Sequence, residues 1–448
     1  MDQHSVALIV MVSVFLYLGY QGVPVAFALT GGAIVGTMLT PISLPSIMGE
    51  LFNGINKLEF LAIPFFLLAG DIMTQANVTE KLIRFAQVLV GHFRSGLAHV
   101  VSVSSMIFAG ISGSMTADTA AISTVVMPYM EKEGYPPAFS AALVAAASTI
   151  AAMVPPSIMA IVYGAVGNVS ITGLFLGGAV PGFLVGIGLM IYSYFFGPPG
   201  IQKRRATFRE VAVAARGAVL PMMIPIIIVG GVVSGIFTPA EAGMVAVTYI
   251  LLVLVPLLAR GHIRSLPRDF MEAAILYSLP MSAVASASAV GWLIAYLGGP
   301  EIVDGWIMAV SGGNRIIIMY MLVAVLTIAG DFLDGVPAIA IFMPIIASLA
   351  KVAHIHPVHM GVLIIVSLAF GLITPPYGLI LLLASTLAGV SFLKALRQSV
   401  PLYGVYFLVI TLIILFPKVV LFLPRLILPQ SVGCFANPSG PGYICPGL

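Results

Sequence analysis

The groups that could do chemistry in this chain are oxygens and bent backbone rather than nucleophiles. In residues 109–128, AGISGSMTADTAAISTVVMP, the small polar residues Ser112, Ser114, Thr116 and Thr119 cluster with Gly110 and Gly113. Asp118 is the single charge between Val100 and Met130. A helix spanning hydrocarbon has no use for such a cluster. A re-entrant hairpin does, because its turn exposes backbone that must face protein or a water-filled cavity. A weaker echo, AGDFLDGVPAIAIFMP, occupies 329–344 and brings Gly330, Asp331, Asp334 and Gly335. Gly113 and Gly335 are the expected turn glycines, and Met127-Pro128 and Met343-Pro344 the expected hairpin ends.

A double proline follows each hairpin: Pro155-Pro156 in STIAAMVPPS and Pro375-Pro376 in SLAFGLITPPYG. A residue before proline avoids helical dihedrals. The segment 135–167 would be ~50 Å long if fully helical, too long for a straight crossing. Segments 135–167 and 357–388 are therefore predicted to be broken helices. Pro155 to Pro181 and Pro375 to Pro401 are both 26 residues apart, which together with hairpin and break reads as an internal repeat. Freed carbonyls and hydroxyls are hard ligands for a small cation, while half-helix N-termini favour anions. Pairing each tip with its break gives two candidate Na⁺ sites. The first takes Ser112, Ser114, Thr116, Ser148, Thr149 and Val154; the second takes Gly330, Asp331, Gly335, Gly371 and Thr374. Na⁺ is the ion expected, since a carbonyl cage holds it without a titrating group. The competing reading is that the small residues only permit close helix packing.

Intramembrane acids cost ~2.5–3.5 kcal/mol each on insertion scales, so each needs a reason. Asp118 and Asp334 are assigned to the tips with Gly113, close to where a substrate carboxylate would lie. For Asp118 and Asp331 a helix-cap reading and an ion- or proton-ligand reading both stand. Asp71 follows Gly70 at a helix end and reads as interfacial. Glu241, in TPAE, carries a helix-start signature. The histidines of HIHPVH, His354, His356 and His359, read as a solvated loop.

Stepping outward, 60% of the residues are hydrophobic and 8% charged, with mean hydropathy +1.13. That is the composition of a polytopic α-helical membrane protein. The apolar runs are continuous rather than alternating, which excludes a membrane β-barrel. A net charge of +3 spread over loops leaves no nucleic-acid footprint. Without a GxSxG motif or paired Ser–His spacing, hydrolytic chemistry has no support. The first twenty residues lack a basic n-region and cleavage site and read as the first span. Further spans are expected over 24–40, 60–75, 171–196, 219–237, 239–259, 278–297 and 402–423, with a connector over 50–59 and an amphipathic interfacial helix over 79–96. Two basic clusters, Lys203, Arg204, Arg205, Arg209 and Arg216, then Arg260, Arg264 and Arg268, bracket two crossings and are expected in the cytoplasm. From that anchor both termini fall outside and the hairpins enter from opposite faces, an inverted repeat.

Several stretches resemble the large membrane subunit of TRAP (tripartite ATP-independent periplasmic) transporters. They are FAGISGSMTADTAAIS at 108–123, MVPPSIMAIVYG at 153–164, GIFTPAEAG at 235–243, HPVHMGV at 356–362 and GLITPPYGLILLLAS at 371–385. The resemblance implies an inner-membrane, Na⁺-driven importer of carboxylates such as C4-dicarboxylates or sialic acid, working as an elevator. It further implies a periplasmic binding protein and a small four-helix membrane subunit, here a separate chain. Ser367 departs from the asparagine common there. On this scheme residues 1–78 are N-terminal scaffold, 79–197 the first arm, hairpin and broken helix, and 198–277 a central scaffold. Residues 278–400 are the second transport unit, 401–424 the last scaffold helix, and 425–448 an extracytoplasmic tail in which a Cys434–Cys445 disulfide is permitted. The rivals are a stand-alone carrier and, in another class, a channel or scaffold.

Overall fold

The computed structural model describes residues 3–201, 204–433, 435–436 and 443–444. Lys203, Cys434 and Cys445 lie outside them, and with the two cysteines the expected disulfide. Two-residue strands Phe435–Ala436 and Tyr443–Ile444 pair antiparallel; the other regular elements described are helical. Eight helical stretches among the described residues are long and apolar enough to cross a bilayer.

The N-terminal helices are α1 (Gln3–Tyr20), α2 (Val25–Met38), α3 (Leu44–Ile55) and α4 (Ala62–Gln75). The expected connector over 50–59 is thus half helical: α3 starts with Pro45 in its first turn and carries Glu50 on a partly buried face. Next comes α5 (Thr79–Val90), amphipathic as its spacing predicts. It buries Thr79, Leu82, Ile83 and Ala86 and exposes Glu80 and Arg84.

The first hairpin is α6 (Gly96–Ser112) and α7 (Met115–Lys132), with Gly113 at φ +61° in the turn. After it, α8 (Pro137–Ser148) tightens into a 3₁₀ turn over Thr149–Ala152. The chain then breaks at a cis Pro155-Pro156 bond and resumes as α9 (Ile158–Gly167), followed by α10 (Ile171–Phe196).

The middle of the chain holds α11 (Phe208–Val233), α12 (Pro239–Tyr249), α13 (Val255–Leu258), α14 (Leu266–Tyr296) and α15 (Gly299–Ser311). Sequence reading starts α11 and α14 some eleven or twelve residues too late, because it takes charge as the end of a helix. A capping box between Thr207 and Glu210 opens α11, so Arg209 and Arg216 ride on the helix. In α14 the Arg268–Glu272 pair, 2.7 Å, spans one helical turn. Glu241 is half of the same device at Thr238, with amide-to-carboxylate and amide-to-hydroxyl distances of 2.8 and 3.3 Å.

The second unit is α16 (Arg315–Phe332), α17 (Gly335–Val352), α18 (Pro357–Gly371), a break containing the cis Pro375-Pro376 bond, and α19 (Leu379–Leu387). The chain closes with α20 (Phe392–Ser399), α21 (Tyr403–Leu415) and α22 (Pro417–Ile427). Three expectations are corrected here. The 402–423 span is two helices, divided at Phe416 ahead of Pro417. Pro128 and Pro344 sit inside α7 and α17 rather than ending the hairpins. Gly335 does not make the second turn. Leu333 and Asp334, both extended, make it, and Gly335 is the first residue of α17.

Glycine works elsewhere by letting backbones touch. A Cβ on Gly371 would meet the Thr327 carbonyl oxygen at 2.4 Å and Gly330 backbone at 3.0 Å. That contact locks α18 against α16. Gly371→Ala should therefore lower stability in detergent by about 1–3 kcal/mol, the usual cost of overpacking. Gly404→Ala, facing open space, should stay within about 0.5 kcal/mol of the parent. Parallel thermal unfolding checks the pair, and equal effects would refute the contact argument.

Candidate substrate and ion site

Both hairpin turns and both breaks converge on one cavity of about 490 Å³. Its wall includes Met115–Ala117 from α7, Ile158 and Met159 from α9, Val336 and Pro337 from α17, and Leu379 and Ile380 from α19. Each of these is within the first three residues of its helix. Four helix N-termini, with their positive dipole ends, therefore meet around one space. The other wall is α4 and α14, through residues such as Leu67, Thr74, Leu276 and Pro280. Among the described residues no lysine, arginine or histidine lines it; the polar side chains are Asp71, Thr74, Ser114, Thr116 and Asp334.

Asp71, expected near a helix end, lines this cavity one turn before the last residue of α4. Its carboxylate accepts from Gln75 Nε2 at 2.9 Å, and that amide also donates to Glu272 at 3.0 Å. Gln75 thus ties α4 to α14 at the cavity's edge, a link invisible in sequence because the partners are 197 residues apart.

The two units satisfy their broken ends differently. In the first, Gly113 lies directly on the break: an added Cβ would stand 2.2 Å from the Pro156 carbonyl oxygen. The Ile158 amide donates back to the Gly113 carbonyl at 3.4 Å. Ser157 caps α9, accepting from the Ala160 amide at 3.1 Å, while its hydroxyl donates to the Ala152 carbonyl. In the second unit the tie is a side chain. Asp331 Oδ1 accepts from the Tyr377 and Gly378 amides, both at 2.9 Å, so a carboxylate on α16 caps α19 across the break. Asp331 is thus a cap, but of α19 rather than of the helix that returns from its own turn. Gly378, at φ +49°, starts α19 in a conformation that favours glycine.

The first tip is a small hydroxyl relay. Ser114 caps α7 through the Ala117 amide at 3.4 Å and lies 3.0 Å from the Thr116 hydroxyl. Ser112 Oγ accepts from the Ser114 amide at 3.3 Å. Asp118 is not the cap; it is fully buried and turned away from the cavity toward Ser105 and Ser148. Thr149 is also engaged elsewhere, 2.6 Å from the Tyr406 hydroxyl and donating to Ala146 at 2.8 Å. Val154 is buried in the break, its amide bonded to Ile150. In the second unit Gly330 and Gly371 are brought into backbone contact, and Thr374 donates to the Gly371 carbonyl at 2.9 Å. Ser367, the departure noted in the sequence, donates to the Leu363 carbonyl at 2.7 Å within its own helix. Asp334, partly buried, lies beside the Gly335 and Val336 amides.

The spacing that relates the units emerges from the caps. Ser114 and Asp334, the N-caps of α7 and α17, each stand 41 residues before the first proline of their break. The Met-Pro pairs are out of step. Of the HIHPVH histidines only His354 is exposed in a turn, as read; His356 Nδ1 caps α18 by accepting from the Val358 amide, and buried His359 donates to the Ile413 carbonyl at 2.8 Å.

A multi-pass helical membrane protein with two matched hairpin-and-break units around one cavity is a transport permease in its class. The model of the DctM component of tripartite ATP-independent periplasmic transporters matches residues 9–419, and the chain belongs to that family. It is 33% identical over 429 residues to the sialic acid TRAP transporter large permease SiaM of Vibrio cholerae, covering 93% of this chain and 98% of that one. It is 34% identical over 400 residues to the C4-dicarboxylate large permease DctM of Pseudomonas aeruginosa, covering 88% and 92%. An uncharacterized protein of Salmonella typhimurium, YgiK, is 33% identical over 431 residues, 94% and 98% of the two chains. The protein is thus an inner-membrane permease and not an enzyme.

The Asp331 cap has a direct test. Asp331→Ala leaves two amides without their acceptor, at about 1–3 kcal/mol each if they stay dry. Hydrogen exchange at Tyr377 and Gly378 should accelerate at least tenfold, and much less in Asp331→Asn, which keeps one carbonyl oxygen. Unchanged protection in the alanine variant would rule out the cap.

Proposed function

We propose that this chain is the large permease of a Na⁺-coupled importer of organic acids, fed by a periplasmic binding protein and completed by a small membrane subunit. The observation that carries it is the cavity bounded by four helix N-termini and no basic side chain. Such a space attracts an anion through backbone amides. Its own acids, Asp71 and Asp334, make uptake of a carboxylate unfavourable unless cations enter with it. Permeases named for sialic acid and for C4-dicarboxylate among the relatives support a carboxylate cargo.

The substrate carboxylate lies between the tips, beside Gly113, Ser114 and Asp334. One Na⁺ sits between the first tip and first break, using Ser112, Ser114, Thr116 and carbonyls around Val154. The other takes Gly330, Gly371 and Thr374, which meet, with Gly335 from the turn and the second oxygen of Asp331 as further ligands. Ser148 and Thr149 are left out, because their hydroxyls face Asp118 and Tyr406. Both hairpins are re-entrant and enter from opposite faces. Arm length does not argue this, since α16 and α17 could each span alone; the buried polar tips do. Residues 79–197 and 278–400 move as the carrier against scaffold 1–78, 198–277 and 401–424, in an elevator cycle with both termini periplasmic.

Proteoliposome uptake tests the reading. Transport should require both an added binding protein and an inward Na⁺ gradient. Uptake without the binding protein would favour a stand-alone carrier, and gradient-independent conductance a channel. Ser114→Ala and Thr374→Val should each raise the Na⁺ concentration for half-maximal uptake about tenfold, the effect of one lost ~1.4 kcal/mol contact to a charged group. Unchanged Na⁺ titrations in both would remove the two sites.

A further inference from the structure

Asp118 is a fully buried acid with no part in the cavity. It is 0% exposed, as are Ser105 and Ser148. The three side chains come from α7, α6 and α8, which pack on one another. Neither carboxylate oxygen has a partner at ordinary hydrogen-bond distance, and neither do the two hydroxyls. The groups facing the carboxylate are those same hydroxyls, Ser105 and Ser148.

The serines carry independent information. A serine inside a helix normally donates to the carbonyl one turn back. Ser102 does so to Ala98, and Ser367 to Leu363. Ser105 and Ser148 make no such bond, and neither do Ser104, Ser123 and Ser193, but of these five only Ser105 and Ser148 face the carboxylate of Asp118. The elements packed against α7 offer no counter-charge. Asp71 on α4, Glu80, Lys81 and Arg84 on α5 and His99 on α6 do not interact with Asp118, and α8 and α19 carry no charged residue.

A buried carboxylate without a cation is too costly to stay ionised. It must be neutralised by a proton or by a metal ion. A hard metal cation takes about six or more oxygens, whereas these three side chains offer four. A proton needs only one donor oxygen and one acceptor.

We propose that Asp118, Ser105 and Ser148 form a buried proton-binding site, in which the neutral carboxyl group of Asp118 donates to a serine hydroxyl and the other serine donates to its carbonyl oxygen. The first hairpin then carries no net charge in its interior, and the charge of the transported anion is balanced at the tips instead. The proton is held rather than exchanged, because no described cavity wall includes any of the three side chains.

Infrared spectroscopy of the purified permease in lipid tests this. The wild type should show a protonated-carboxyl C=O band at both pH 6 and pH 9 that Asp118→Asn abolishes. Ser105→Ala and Ser148→Ala should each shift that band, and they carry the assignment if the asparagine variant does not fold. Absence of the band at pH 9, or a band insensitive to both serine variants, overturns the proposal. Loss of the band as Na⁺ is raised at constant pH also overturns it, because the site would then belong to a metal cation.

Discussion

Backbone freed inside a dry protein interior has nowhere to turn but the protein itself. An unpaired buried amide or carbonyl costs about 1–3 kcal/mol, and each hairpin turn and each double-proline break frees several. The arrangement of the central elements follows from meeting that demand. Gly113 lies on Pro156 so that a tip carbonyl can take the Ile158 amide. Asp331 reaches across 46 residues of sequence to take the Tyr377 amide. The starts of four helices, several of them capped in this way, are then left facing one cavity.

The two units solve one problem with different chemistry. The first uses backbone against backbone and needs a glycine at the point of contact. The second uses a carboxylate, and its turn residues, Leu333 and Asp334, need no positive φ. Both place an N-cap 41 residues before a cis double proline. The repeat is therefore one of geometry, in which the position of a helix start relative to a break is retained while the residues providing it differ.

The electrostatics of the cavity follow from the same source. With no basic side chain among the described residues of its wall, any positive potential in the cavity comes from helix ends, whose influence is short-ranged and falls within a turn. Such a field favours negative charge at one point without specifying the remainder of a bound molecule. The apolar majority of the wall, with Leu67, Leu276, Leu372 and Leu379 among it, is consistent with that division of labour.

Composition, the small polar and glycine clusters at 109–128 and 329–344, and the double prolines were enough to read a polytopic helical membrane chain with two turns between helices and two broken helices. These are local consequences: hydrocarbon demands continuous apolar helix, and proline forbids it at a stated residue. Capping signals were equally legible, as at Thr238 and Glu241. Helix starts in charged stretches, at Phe208 and Leu266, were not, because a helix may project past the apolar layer while composition marks only the layer. Contacts between distant residues were out of reach as well. Whether Asp331 was a cap or a free ligand depended on where residues 377 and 378 came to lie, and whether Asp118 faced the tip or the serines depended on the packing of three helices. Sequence periodicity specifies which face of a helix is apolar; only the tertiary structure decides which neighbour that face, or a polar group upon it, will meet.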